Sequence, residues 1–376
     1  MALLVLRVLA FFAGIYVITA TLVSALLTFV VPRAANTRLA RIAFSVTRAI
    51  LDGFTRGKPY ADRDRVLALL APIGLMVLPA MWLTLVFLGF TLIFWGLGVD
   101  PIGEAVLVSG SALFTLGFET PDKQRFYAAI LVGFVESAIG LGLLALLISY
   151  LPTIYAAFSR RETVVSMLEP LAGSPPSAVT LLMRHHRVAG MDRLDSTWQR
   201  YQEWFADIEE SHVSLAALVF LRSPQPNRSW ITAAGCVLDA AALTASSLEI
   251  KRSADAELCI RAGFITLRRV ADFFNVSYDV NPQPGDPTSI SREEFGEAYQ
   301  TLRAAGLPMK PDIDRCFLDF NGWRVNYDTV LLHLAGLTAA PEAPWSSDRL
   351  IPYRSPPLRT LVRRRRVQPP PVHERG

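Results

Sequence analysis

Charged side chains are scarce in this chain, and the shortage is uneven. They make up 19 % of 376 residues, against 52 % hydrophobic, where soluble domains carry about 25 % charged residues. The deficit falls before Phe158, and the remainder has ordinary globular composition. Cysteine is rarer still: Cys236, Cys259 and Cys316 are widely separated. That spacing excludes a disulfide framework or a zinc pair and leaves three lone core thiols. No G-x-G-x-x-G follows a strand, and there is no phosphate-binding G-x-x-x-x-G-K-[ST], no H-E-x-x-H and no G-x-S-x-G. Enzyme classes have no residues to stand on, and no cofactor or metal is expected. Period-2 alternation is also missing, which removes strand-based folds and leaves an all-α protein.

What is present is long apolar runs. Ala2–Val31 is interrupted only by Arg7, Leu67–Val99 contains Pro72 and Pro79, and Phe126–Leu151 carries one charge, Glu136. About 20 apolar residues cross a bilayer, so each run predicts a spanning helix, with tilt or kinking absorbing the excess. The first run exceeds a signal-peptide core of roughly 7–15 residues and ends in no small-x-small site, so a retained helix is expected. Residues 32–66 hold eight basic and three acidic side chains, whereas 99–125 hold four acidic and two basic. Positive charge marks the cytoplasmic side. The expected topology is N-terminus outside, three spans and a cytoplasmic C-terminal portion.

The expected organisation is an N-terminal span (1–31), a basic cytoplasmic loop (32–66), a two-span module (67–172), a Gly/Ser/Pro linker (173–177), a helical domain (178–338) and a tail (339–376). The third span is expected to run on as a helix to about Ala172, with Pro152 at its cytoplasmic end. Three- and four-residue apolar spacing predicts helices over 178–188, 198–206, 213–221, 230–248, 257–274 and 312–337. Ser291 with Glu294 three residues later forms a capping box opening another helix towards Ala305. His185 and His186, beside Arg184 and Arg187, read as a solvated helix face; His212 and His333 read as core histidines with a local hydrogen bond. The tail is rich in Pro and Arg and is expected to be disordered. Its Arg363–Arg366 cluster could touch anionic headgroups of the nearby leaflet, or simply remain solvated. Nucleic acid is not an expected partner.

Between the second and third runs lies a stretch that belongs neither to lipid nor to an ordinary loop. Asp100-Pro101 supplies an N-cap and a proline at the first helical position. The helix that follows (101–114) is too short to cross, and Thr115-Leu116-Gly117-Phe118-Glu119-Thr120 then closes the segment. A half-helix followed by Gly-containing polar backbone is tolerated at membrane depth only where protein buries it or water lines it. Gly133, Glu136, Ser137 and Gly140 add a small, polar stripe at helical spacing on the third span, which should face protein or a water-filled cavity rather than lipid.

Span, short helix, TLGF, span resembles the pore module of tetrameric potassium channels, over about 67–161. In that family a T-V/I/L-G-Y/F-G-D segment follows the pore helix, and successive carbonyls replace the ion's hydration shell. By resemblance, Thr115, Leu116, Gly117 and Phe118 form the filter. The inner helix (126–158 and its extension) carries Gly140 and Gly142 at the distance of the family's hinge, with Glu136 lining the cavity or hydrogen-bonding behind the filter. The resemblance implies a homotetramer in a bilayer, a bacterial cytoplasmic membrane and a permeant monovalent cation such as potassium. Where the family has its second filter glycine and Asp, this chain has Glu119 and Thr120, so Glu119 and Asp122 would ring the outer mouth with carboxylates that attract cations without choosing potassium. The alternative class is a non-conducting, membrane-anchored interaction or sensory protein whose helical domain carries the function.

Overall fold

The computed structural model describes residues 1–29, 69–121, 127–191 and 193–349, with residues 46, 47, 53, 66 and 351. The rest of the basic loop, Asp122 and Arg363–Arg366 lie outside these. Among the described residues every regular element is helical: α1 (Ala2–Phe29), α2 (Leu70–Gly96), α3 (Ile102–Leu113), α4 (Tyr127–Ala172), α5 (Ala178–Ala189), α6 (Leu194–Ser214), a 3-10 turn (Ala216–Phe220), α7 (Trp230–Ser247), α8 (Ala254–Phe273), α9 (Arg292–Ala304), α10 (Ile313–Arg324), α11 (Asp328–Thr338) and a second 3-10 turn (Ser347–Arg349).

Among the described residues four helices are long and apolar enough to cross a membrane: α1, α2, α4 and α7. They differ in what covers them. The apolar window of α7 is 94 % buried inside the protein, against 11 % in α1 and 17 % in α4. α7 is therefore the central helix of a globular core, enclosed by α5, α8, α10 and α11. α1 and α4 leave most of their apolar side chains uncovered.

Glycine fixes the pairing of α1 with α2. A Cβ on Gly14 would lie 2.5 Å from Gly89 O, one on Gly89 2.6 Å from Ile18, and one on Gly96 2.9 Å from Arg7 O. The helices run antiparallel with their backbones nearly touching, the close approach that small residues permit in lipid. Arg7 ends up beside Asp100 and forms an ion pair with it. That contact corrects the cap expected at α3. Asp100 is drawn to the guanidinium, Pro101 occupies the N-cap, and no side chain caps the helix.

α4 is 46 residues long and contains Pro152 and Pro170, or about 69 Å at 1.5 Å per residue. Its first half lies beside α2 and α3, and its second half enters the globular core through Val165, Leu168 and Ala172. A turn at residues 173–176 then leads into α5, whose N-cap Ser177 accepts from Thr180 N–H. Ser291 and Glu294 make both bonds of the capping box at α9. All three cysteines are buried and free.

Four expectations fail locally. Residues 213–221 do not form a helix of their own: α6 runs to Ser214, and the 3-10 turn follows because Arg161 takes the carbonyls of Leu218 and Leu221. The expected helix 312–337 breaks at Val325–Tyr327, where the Asn326 amide donates to Gly322 O and Trp323 O and closes the end of α10. Residues 339–349, assigned to a disordered tail, are folded: Ala340, Ala343, Ser346 and Ser347 are buried, and Arg324 donates to Trp345 O. His185 is likewise not solvated. It is buried, with Nδ1 3.0 Å from Gly190 O and Nε2 3.1 Å from Thr197 Oγ1, and burial pushes its pKa down.

The folded end of the chain is fastened by Arg349, which donates to both Glu294 carboxylate oxygens at 3.0 and 2.7 Å, while Ser291 N–H donates at 2.9 Å. These bonds, the Arg349 contact foremost, hold the Glu294 pKa at about 2. A folded value below the unfolded one stabilises the fold above pH of about 4.3 and is lost as pH falls from there towards 2. Glu294→Gln should therefore flatten the acid side of the stability profile. Its stability at pH 6 should drop by about 1 kcal/mol or less, the pair being partly exposed, and the gap from wild type should narrow by pH 3 and close near pH 2. A constant gap from pH 6 to pH 3 would disprove the assignment.

Candidate pore-loop site

α3 is 12 residues long, about 18 Å, against a hydrocarbon core of about 30 Å. It enters between α2 and α4 and contacts both. Ala105, Val108, Ser109, Ser111 and Leu113 form its buried face, and two hydroxyls there do most of the positioning. Ser109 Oγ lies 2.6 Å from Glu136 Oε1 and 3.1 Å from Phe87 O, linking α3 to both neighbours. On α4, Ser137 Oγ donates to Ala112 O at 2.7 Å.

The chain after α3 folds back onto its last turn. Phe114 N–H donates to Gly110 O, Thr115 N–H to Ala112 O at 3.0 Å, and Leu116 N–H to Ser111 O at 2.8 Å. Gly117 N–H points at the same Ser111 carbonyl at 3.4 Å, and Glu119 N–H donates to Ser111 Oγ at 3.0 Å. This wrapping needs two left-handed residues, Thr115 at φ +54° and Gly117 at φ +72°. The glycine takes that geometry at little cost; a β-branched threonine does so rarely. The consequence is directional. Amides turn inward on α3, and among the described residues no hydrogen bond reaches the carbonyl oxygens of Thr115, Leu116, Gly117 or Phe118.

Residues 114–120 are all exposed in the single chain, with Phe118 at 67 % and Leu116 at 57 %. The adjoining side of α4 is also bare, from Leu131, Phe134 and Val135 to Leu141, Leu144 and Ile148. Thr115, Leu116, Gly117, Phe118 and Glu119 are thus all uncovered in the single chain.

The polar stripe of α4 faces α3. Gly133 approaches Ala112, Glu136 is 0 % exposed against Ser109, and a Cβ on Gly140 would meet Leu113 O at 2.3 Å. Within the chain Glu136 is turned towards α3, where its carboxylate accepts from Ser109. Its second carboxylate oxygen is buried without a partner among the described residues. Gly140 is where α4 and α3 touch, and α4 continues as a helix through it and through Gly142, around which there is open space. Sequence reasoning assigned no role to Ser109 and Ser111. The signal was available: two hydroxyls flanking a glycine inside an apolar helix seek partners on neighbouring helices.

The described residues contain no group of three or more His, Cys, Asp or Glu side chains able to hold a metal ion. No protein-family model matches this chain, and comparison with curated proteins and with solved structures finds no match.

Proposed function

We propose that this chain is one subunit of a homotetrameric, passively conducting cation channel in the cytoplasmic membrane. α1, α2 and α4 are its spans, α3 is the pore helix, and residues 115–118 are the conduction filter. The supporting observation is the division of the loop: its amides are tied to Ser111, Ala112 and Gly110, while the carbonyls of 115–118 are left without partners among the described residues. Unpaired backbone oxygens are costly in a membrane unless water or an ion meets them, and a ring of carbonyls is what replaces a cation's hydration shell. One loop cannot enclose an axis, so closed symmetry is a requirement, and the bare apolar side of α4 supplies a surface for it. Glu119, whose amide is tied to Ser111 and whose side chain is exposed, would place a carboxylate ring at the outer mouth. That ring concentrates cations and discriminates weakly between potassium and sodium.

The test is cation flux from liposomes containing the purified chain, under potassium and then sodium gradients, with subunit number measured on the same sample. Wild type should conduct as a tetramer, and Gly117→Asp should abolish flux with the tetramer retained, because any added β-carbon strains the backbone at φ +72° and the carboxylate adds charge at the carbonyl ring. A monomeric or dimeric protein without flux would reject the proposal and favour the membrane-anchored interaction protein.

A further inference from the structure

The 3-10 turn Ala216–Phe220 belongs in sequence to the globular helices, yet it sits against the apolar helices. Ala217 and Leu218 pack with Ile154 and Ala157 of α4 in a separate buried cluster, closed by Leu75 of α2 with Tyr150, Phe158, Leu215 and Leu221. The turn thus lies where α2 begins and where α4 leaves the run that reads as its span, touching both.

Arg161, one helical turn beyond Ala157, locks this arrangement. It is fully buried. Its Nη1 donates to Leu218 O at 2.7 Å, Nη2 to Leu221 O at 2.6 Å and Nε to Glu162 Oε1 at 2.9 Å. Nη1 also lies 3.3 Å from His212 Nε2. Arginine is permanently protonated, so His212 accepts there and carries its own proton on Nδ1, 3.0 Å from Ser211 Oγ; that hydroxyl donates in turn to Asp207 O at 2.6 Å. The planar fork spans two carbonyls that bracket the turn, a geometry that lysine cannot reproduce. A buried cation so fully bonded is strongly destabilising to disturb.

The joint has a direction. Ile154, Ala157 and Arg161 face the turn and α2, whereas Ile148, Leu151 and Tyr155 on the other side of α4 are exposed. We propose that this joint regulates the pore: the 3-10 turn and Arg161 hold the cytoplasmic half of α4 against α2, away from the axis of the assembly, so that loosening the joint lowers conduction. The inference rests on the pore reading above and names how the globular helices act on that pore.

Two substitutions attack the joint from opposite sides in the full-length protein. Arg161→Lys keeps the charge and loses the fork; Leu75→Ala trims α2 without leaving a buried polar group unpaired. Amide hydrogen exchange over 216–221 should speed up in both, and potassium flux from liposomes should fall roughly five-fold or more, the lower range of allosteric coupling. Faster exchange with unchanged or increased flux would overturn the proposal, as would unchanged exchange in Leu75→Ala, which would show that the turn is not seated on α2. Should Arg161→Lys fail to fold, Leu75→Ala decides alone. Absence of flux from wild type together with faster exchange in the variants would overturn the pore reading while leaving the joint intact, so the two failures are distinguishable.

Discussion

Arg324→Ala should cost the globular helices about 3–5 kcal/mol, the range for breaking a buried ion pair by removing one partner. The Arg324 guanidinium is fully buried and pairs with Asp239 of α7 and, at 2.8 Å, with Asp328 of α11. It also donates to Trp345 O at 2.6 Å, and Tyr327 donates to Asp239 at 2.8 Å. Without the cation, two nearly buried carboxylates face each other and the 339–349 segment loses its tie. Arg315→Ala is the control, since its pair with Asp319 is 70 % exposed on the arginine side and should change stability by about 0.5 kcal/mol or less. Denaturant unfolding of the full chain in detergent, followed by tryptophan fluorescence, reads both. A cost below about 1 kcal/mol for Arg324→Ala would mean that the cluster is not what joins α7, α10 and α11.

The second large effect separates two roles for a glycine. Gly140 and Gly142 were both read as hinge candidates, and a hinge needs backbone freedom at each. In the structure only Gly140 is crowded, its added Cβ lying 2.3 Å from Leu113 O, while nothing stands within 4 Å at Gly142. Gly140→Ala should push α3 off α4, at about 1–3 kcal/mol for overpacking, and abolish flux, because Ser137 and Glu136 bond α3 in the same contact. Gly142→Ala should be neutral to stabilising, by about 0.5–1 kcal/mol of helix propensity, with flux retained. If Gly142→Ala abolished flux and Gly140→Ala did not, bending rather than packing would explain these residues.

The parts of the fold legible in the sequence are those whose cause is local. Three long apolar runs announce three long apolar helices, and Ser291 with Glu294 announces a helix start, because the residues involved act within one turn. The break at Val325–Tyr327 was illegible because Arg324 and Tyr327 are turned towards Asp239, 85 and 88 positions away. The composition of 339–349 resembles a tail, and contacts from distant residues, Arg222 to Ala339 O, Arg324 to Trp345 O, Phe320 to the Trp345 ring and Arg349 to Glu294, give that stretch an address. His185 carries no mark of burial until Gly190 and Thr197 close over it. At the site, spacing identified the polar side of α4 but not its partner, and TLGF marked the loop without revealing that Ser111 organises it.

Four of the five tethers that shape residues 114–119 run from backbone to backbone, and only Glu119 relies on a side chain, the Ser111 hydroxyl. A path held by main-chain atoms does not register which side chains it carries. Sequence here can drift a long way while the turn persists, provided that positions 115 and 117 can hold their positive φ. A saturation library over this segment should show the pattern of a fold that remembers its route and forgets its letters: sharp intolerance at 117, partial at 111, and broad permissiveness at 116, 118 and 119 for correct assembly.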